Sequence, residues 1–160
     1  IIEPGTPPAS AMFAVIKKFS DSGIRCGVNI DPIIPLITDS SNDIESILDN
    51  CLDAGVAYVF GAILRLRADI WERMKSILML LNMKDRINEY NRIFHFTEPI
   101  RSGYNIAADQ SYSNGILEKL GEAVHRRGIS FDFPNLIGIR CVEKHKLSNN
   151  ANQLTLMNYM

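Results

Sequence analysis

Eleven consecutive residues, V-A-Y-V-F-G-A-I-L-R-L from Val56 to Leu66, are apolar or small at every position but Arg65. The run has the length of a strand, is rich in β-branched and aromatic residues, and shows no alternation of apolar with polar positions. Such a segment reads as a parallel strand covered by helices on both faces. Its neighbours agree. Upstream, Asn42 with Glu45 three residues on forms a capping-box-like start. The helix that follows carries Ile44, Ile47, Leu48, Cys51 and Leu52 on one stripe and stops at Gly55. Downstream, Ile70, Trp71, Met74, Ile77, Leu78 and Leu81 recur at helical spacing. Helix, buried strand, helix with short connections predicts a parallel sheet with right-handed crossovers.

The alternation extends toward the N-terminus. Ile24, Cys26, Val28 and Ile30 alternate with Arg25, Gly27, Asn29 and Asp31, and Pro32 and Pro35 end that strand. Before it, Ser10 is positioned to cap a helix with Met12, Val15, Ile16 and Phe19 on one face, and Gly23 supplies its left-handed stop. This order fits both an open doubly wound sheet and a (β/α) barrel, and periodicity does not choose between them. After Asp85 the pattern loosens. A short polar helix covers Asp85–Phe94, a loop follows, and Ser113 starts a helix that buries Ile116, Leu117, Leu120 and Val124 before Gly128. I-S-F-D-F reads as a short edge strand, and the last residues as a polar tether ending in an apolar clip.

With 160 residues, 46 % of them apolar and 22 % charged, the chain has the size and composition of one globular domain. A net charge of −1 argues against a surface dedicated to polyanions. No run approaches the length of a membrane span and no signal peptide precedes the first helix, so the expected compartment is the cytoplasm. Cys26, Cys51 and Cys141 are widely spaced, which fits reduced thiols packed in a core rather than a zinc or iron–sulfur motif. His95, His125 and His145 fall on dissimilar elements and read as ordinary surface or hydrogen-bonded histidines. No G-x-S-x-G, G-x-G-x-x-G or P-loop pattern is present.

In parallel α/β architectures ligands gather at the carboxyl ends of the strands. Three such ends are visible. Glu3 precedes the stiff turn P-G-T-P-P, Asn29 and Asp31 share one face of the first strand, and Arg65 closes the apolar run. Two acids, an amide and a guanidinium would suit a zwitterion or a ribose, with Arg65 able to fork onto a carboxylate. The alternative is that Glu3 and Asp31 cap turns and Arg65 pairs with one of them.

One string is more specific than any periodicity. E-P-G-T-P-P-A-S, a helix, then D-S-G-I-R-C-G-V-N-I-D-P-I-I-P-L-I-T-D resembles the second half of the radical S-adenosylmethionine proteins of the spore photoproduct lyase (DNA repair photolyase-like) family. A-I-L-R-L at Ala62–Leu66 is similar to that family's next strand, and R-R-G-I-S-F to its C-terminal part, so the resemblance spans about residues 1–132. It implies a fold that is about half of a partial (β/α) TIM-like barrel plus C-terminal helices. It also implies S-adenosylmethionine and a [4Fe–4S] cluster as cofactors of a lyase-like parent enzyme, with reductive cleavage to a 5′-deoxyadenosyl radical. The family's cluster cysteines lie in an N-terminal CxxxCxxC that this chain does not contain. The chain is therefore expected to be the C-terminal half of such an enzyme, with its partner the missing N-terminal half, no cluster of its own and no activity alone. The lack of an initiator methionine agrees.

Carried onto this sequence, the resemblance puts Asn29–Asp31 on the strand that approaches the adenine, Glu3 in the family's turn and Arg65 at the basic residue after the apolar strand; with the strand-end argument, Glu3, Asn29, Asp31 and Arg65 are the expected cofactor-binding residues. A nucleic acid is the implied substrate. Residues 1–84 are expected to form the half-barrel, 85–145 a helical extension and 146–160 a flexible tail. Exposed sheet edges of a half-barrel would favour homo-oligomers. Within the tail, Gln153, Leu154, Leu156 and Met157 resemble the Q-L-x-L-F peptide by which bacterial repair and replication proteins bind the sliding clamp. That peptide gives a second reading, a non-catalytic α/β interaction module recruited to a partner through its tail.

Overall fold

The structure is a computed structural model and describes residues 5–96 and 104–131. It is a mixed α/β fold. In chain order the elements are α1 (Ala9–Asp21), β1 (Gly27–Ile33), α2 (Ser41–Asp53), β2 (Tyr58–Ile63), β3 (Arg65–Leu66), α3 (Ala68–Leu80), α4 (Arg86–Phe94), β4 (Ile106–Ala107), α5 (Gln110–Arg126) and β5 (Ser130–Phe131). β1, β2 and β5 form a parallel sheet in that order, and β3 pairs antiparallel with β4.

The helix stops fall where the glycines predict them, with Gly23, Gly55 and Gly128 all at positive φ. The starts differ. α2 begins two residues earlier than a cap at Asn42 would give, because the Ser40 hydroxyl accepts the Asp43 N–H at 3.1 Å. α5 begins at Gln110 rather than Ser113, because Asp109 accepts the N–H groups of Ser111 and Tyr112. α1 follows Pro8 and begins before Ser10, with no side-chain cap. The Val56–Leu66 run is two strands rather than one: β2 ends at Ile63, and Arg65–Leu66 turns to pair with Ile106–Ala107.

Register sets the two faces of the parallel sheet. Val28 pairs with Val59 and Ile30 with Gly61, while Gly27 pairs with Tyr58 and Asn29 with Phe60. Side chains of paired residues in a ladder share a face, and neighbours along a strand alternate. The first face meets α2 and α5 in a core built on Ile33, Leu48, Cys51, Val59, Leu117, Leu120 and Val124. Removing a side chain such as Leu48 or Leu120 from water contributes about 1.5–3 kcal/mol. α5 approaches β2 so closely that a Cβ at Gly61 would lie 2.4 Å from Leu120 Cδ2. A second core joins Leu66, Trp71, Met74, Leu78, Tyr90 and Phe94. Its aromatic rings stack at centroid distances of 5.5 Å for Trp71–Tyr90 and 5.8 Å for Tyr90–Phe94. Residues on both sides of position 84 contribute to both cores. Among the described residues no helix is long and apolar enough to cross a membrane.

Candidate functional site

The second face of the sheet differs from what an apolar run covered on both sides would give. Asn29 and Asp31 are exposed there, and Tyr58 and Phe60 are half-buried. None of these four belongs to either core. The two rings meet edge to face with centroids 5.4 Å apart. Tyr58 lies across β1: a Cβ at Gly27 would fall 1.9 Å from its ring. Gly27 is thus the residue that lets an aromatic plane lie flat against the strand carrying Asn29 and Asp31.

Phe60 stands beside Asn29 in the ladder, and the register shifts between Ile30 and Ile33, so that Asp31 and Pro32 together oppose the one residue Ala62, a bulge that keeps Asp31 off the core face to which Ile33 returns. Among the described residues neither side chain has a hydrogen-bond or ionic partner. Asp31 does not cap the turn that follows it. An amide, a free carboxylate and two aromatic rings on one open face can hydrogen-bond the edge of a planar heterocycle or a sugar hydroxyl while a ring packs beside them. Arg65 is exposed on β3, in the other sheet, and forms no pair with Asp31. The structure places Asn29 and Asp31 on β1 and Arg65 on β3, with no hydrogen bond or ion pair between Arg65 and either of them. Glu3 lies outside the described residues, as do Gln153, Leu154, Leu156 and Met157.

Tyr58 and Phe60 were not singled out by sequence reasoning. Their signal is the alternation of aromatic with small or β-branched residues in Tyr58-Val59-Phe60-Gly61, which a uniformly apolar run conceals. A second group was also missed. Beyond the carboxyl end of β1, the Tyr112 hydroxyl donates to Asp39 and the Tyr90 hydroxyl donates to the Pro35 carbonyl at 2.5 Å. Burial pushes both phenols above the ordinary value of 10.0, helped by the Asp39 charge at Tyr90 and by the hydrogen bond to Asp39 and then its charge at Tyr112. They are hydrogen-bond donors that clamp α4 and α5 to the loop after β1, not bases.

The N-termini of α2 and α5 carry their own acids. Asp43 sits in the first turn of α2, and Asp109 accepts from Ser111 N at 2.9 Å, Ser111 Oγ at 2.6 Å and Tyr112 N at 3.2 Å. His95 Nε2 lies 3.2 Å from the other Asp109 oxygen. The Ser111 hydroxyl first, then His95 and the Tyr112 N–H, hold the Asp109 carboxyl well below the usual carboxylate range. Donors occupied in this way do not bind a phosphate. Cys26 precedes β1 and is half-buried, whereas Cys51 is buried in α2 with its thiol pushed up to about 11 by desolvation. Among the described residues no three His, Cys, Asp or Glu side chains converge as metal ligands.

No family model matches the chain, and no solved structure matches it. Uncharacterized protein ORF301 of Acidianus two-tailed virus is 37 % identical to it over 81 residues, 49 % of this chain and 27 % of that protein. Uncharacterized protein Rv2578c of Mycobacterium tuberculosis is 35 % identical over 66 residues, 40 % of this chain and 19 % of that protein. Uncharacterized protein Mb2609c of Mycobacterium bovis matches to the same extent, 35 % over 66 residues. The chain thus matches about a quarter of the viral protein's length and a fifth of the mycobacterial ones.

Proposed function

We propose that this chain is the C-terminal portion of a radical S-adenosylmethionine enzyme related to spore photoproduct lyase, forming part of the cofactor and substrate wall of a partial (β/α) barrel. The observation that carries the reading is a sheet that helices cover on one face only among the described residues. α1, α2 and α5 all pack on the face bearing Val28, Ile30 and Val59. Asn29, Asp31, Tyr58 and Phe60 are left on the other. A doubly wound sheet places helices on both faces, whereas a barrel places them all outside and turns the other face inward. The E-P-G-T-P-P-A-S turn and the strand G-V-N-I-D-P-I-I-P support the same assignment through their resemblance to the family.

The residues present do not fit the [4Fe–4S] cluster. Cys26 and Cys51 sit on separate elements, and a cluster needs several thiolates converging from a short loop. Its ligands belong to a CxxxCxxC elsewhere in the parent polypeptide. The open face does fit S-adenosylmethionine, which supplies radical hydrogen-abstraction chemistry when bound to a reduced cluster. Asn29 and Asp31 would bond the adenosyl group's polar edges, Tyr58 and Phe60 would exclude water from its ring, and Arg65 is available to a carboxylate or to a nucleic-acid phosphate.

The test is anaerobic iron–sulfur reconstitution of the full-length protein with S-adenosylmethionine and a low-potential reductant, followed by chromatography for 5′-deoxyadenosine. The expected result is 5′-deoxyadenosine formation that falls at least about tenfold in Asn29→Ala and Asp31→Ala, the size of one lost charge-assisted hydrogen bond. A reading frame without CxxxCxxC, or a reconstituted protein that yields no 5′-deoxyadenosine, overturns the proposal.

A further inference from the structure

On the helix side of β1 the packing does not close. Because the register shifts between Ile30 and Ile33, successive core-facing side chains of β1 stand three residues apart there rather than two. Between β1, α2 and α5 lies a cavity of about 190 Å³ walled by Ile30, Ile33, Ile44, Ile47 and Leu120. Thr38 and Asp43, both exposed, complete its lining and so form its rim. Thr38 is fixed by its own loop: its hydroxyl accepts the Ile34 N–H at 2.8 Å, and its N–H reaches the Ile34 carbonyl at 2.9 Å. Asp43 accepts the Ser40 hydroxyl on Oδ2. Among the described residues its Oδ1 has no hydrogen-bond partner and the carboxylate has no cation beside it.

We propose that this cavity binds a small molecule with an apolar body of one ring and a single ammonium group. An apolar cavity of about 150 Å³ takes up benzene, so the volume here admits a ring and little more. Water below the rim would meet only aliphatic side chains, short of the roughly two to four polar partners that an ordered water keeps. Charge selects the head group. An ammonium carries donors for the unpartnered Asp43 oxygen and a charge opposite to it. An anion finds no donor at the start of α2, because the Asp43 and Ile44 N–H groups already go to the Ser40 hydroxyl and carbonyl. A neutral apolar molecule would strip water from the carboxylate and return nothing to it. The cavity shares β1 with the cofactor face but lies on its other side, with Ile30 and Ile33, so it stands whether or not Asn29 and Asp31 bind S-adenosylmethionine.

Benzylamine, a cation at neutral pH, and benzoate, an anion of nearly the same size, are titrated into the 160-residue chain with ¹³C-labelled isoleucine methyls. Benzylamine should give saturable shifts at Ile30, Ile33, Ile44 and Ile47 and leave Ile77 and Ile93, which lie on α3 and α4, unmoved. Benzoate should bind at least about fivefold more weakly, the scale of one exposed charge pair. Asp43→Asn should bring the two affinities within about twofold of each other. Ile47→Phe, which fills the cavity with a ring of its own, should remove binding of both, and the methyl spectrum reports whether each variant is folded. If Ile47→Phe does not fold, Asp43→Asn decides. No saturable shift at the four isoleucines would overturn the proposal, as would benzoate binding as tightly as benzylamine. An Asp43→Asn variant that keeps the wild-type preference, or a folded Ile47→Phe that still binds, would overturn it as well.

Discussion

Gly61 and Gly115 show how one residue type carries opposite consequences in two places. At Gly61 an added methyl meets Leu120 Cδ2 at 2.4 Å inside the close approach of α5 to β2, so the buried Leu120 side chain must leave its place. Gly61→Ala should lower stability by about 1–3 kcal/mol, the usual cost of overpacking. Gly115 lies within α5, where a Cβ meets nothing within 4 Å. Gly115→Ala should raise stability by about 0.5–1 kcal/mol by removing backbone freedom from the unfolded chain. Urea midpoints of the two variants moving in the same direction would contradict this account. Asp109 adds a pH dependence. Its carboxyl is depressed below the ordinary 3.8 by Ser111, His95 and the Tyr112 N–H, so the folded state favours the charged form. The resulting stability is fully present above the unfolded value and is lost as pH falls through the lower native one. The urea-midpoint gap between wild type and Asp109→Asn should therefore be full at about pH 5 and shrink toward about pH 2. A gap that widens on acidification would refute it.

At the scale of elements, hydrophobic periodicity located α1, α2, α3 and α5, and glycines located the ends of α1, α2 and α5, because both signals are local. Helix starts were less legible. A cap is a hydrogen bond from one particular oxygen, and several Ser, Asn and Asp residues precede α2 and α5 as equal candidates. Burial was legible only as a need. The stripe Met12, Val15, Phe19 reads as a buried face, yet these three side chains are about half exposed on α1. The site divides similarly. Alternation put both Asn29 and Asp31 off the core face, whereas Arg65 reads as the end of their neighbouring strand but belongs to β3, since the break after Ile63 depends on pairing with a segment some 40 residues away. Long-range ion pairs were not legible at all. Arg127 Nη2 reaches Asp49 Oδ1 at 2.5 Å and Glu45 Oε2 at 2.6 Å, pinning the end of α5 to α2. Arg127→Leu should lower Tm by about 2–4 °C at low salt, and less at 1 M salt if the bridge is the cause. Arg127→Lys should recover only part of it, since an ammonium lacks the two-pronged geometry. Full recovery by lysine would mean that charge alone matters.

Over the whole molecule, two cores of unequal construction share Ile63 and Tyr112 as their link. The first rests on a three-stranded parallel sheet sandwiched against α2 and α5, which the Arg127 bridges tie together. The second rests on α3, α4 and a two-residue antiparallel ladder, so little backbone pairing holds it once its aromatic stack parts. Regions with fewer cross-strand bonds open at lower free energy than the global transition. Native-state hydrogen exchange should then show amides of α3 and α4 converging on an opening below that of β2 and α5. Ile63→Ala removes packing from both cores and should widen that difference while costing about 2–5 kcal/mol overall. Tyr90→Phe, which takes only the hydroxyl donated to the Pro35 carbonyl, should lower the opening energy of α4 and leave the protection of β2 where it was. If every slow amide in both cores instead shifted by the same amount in Tyr90→Phe, the two would be a single cooperative unit, and the link through Ile63 and Tyr112 would be as strong as either core.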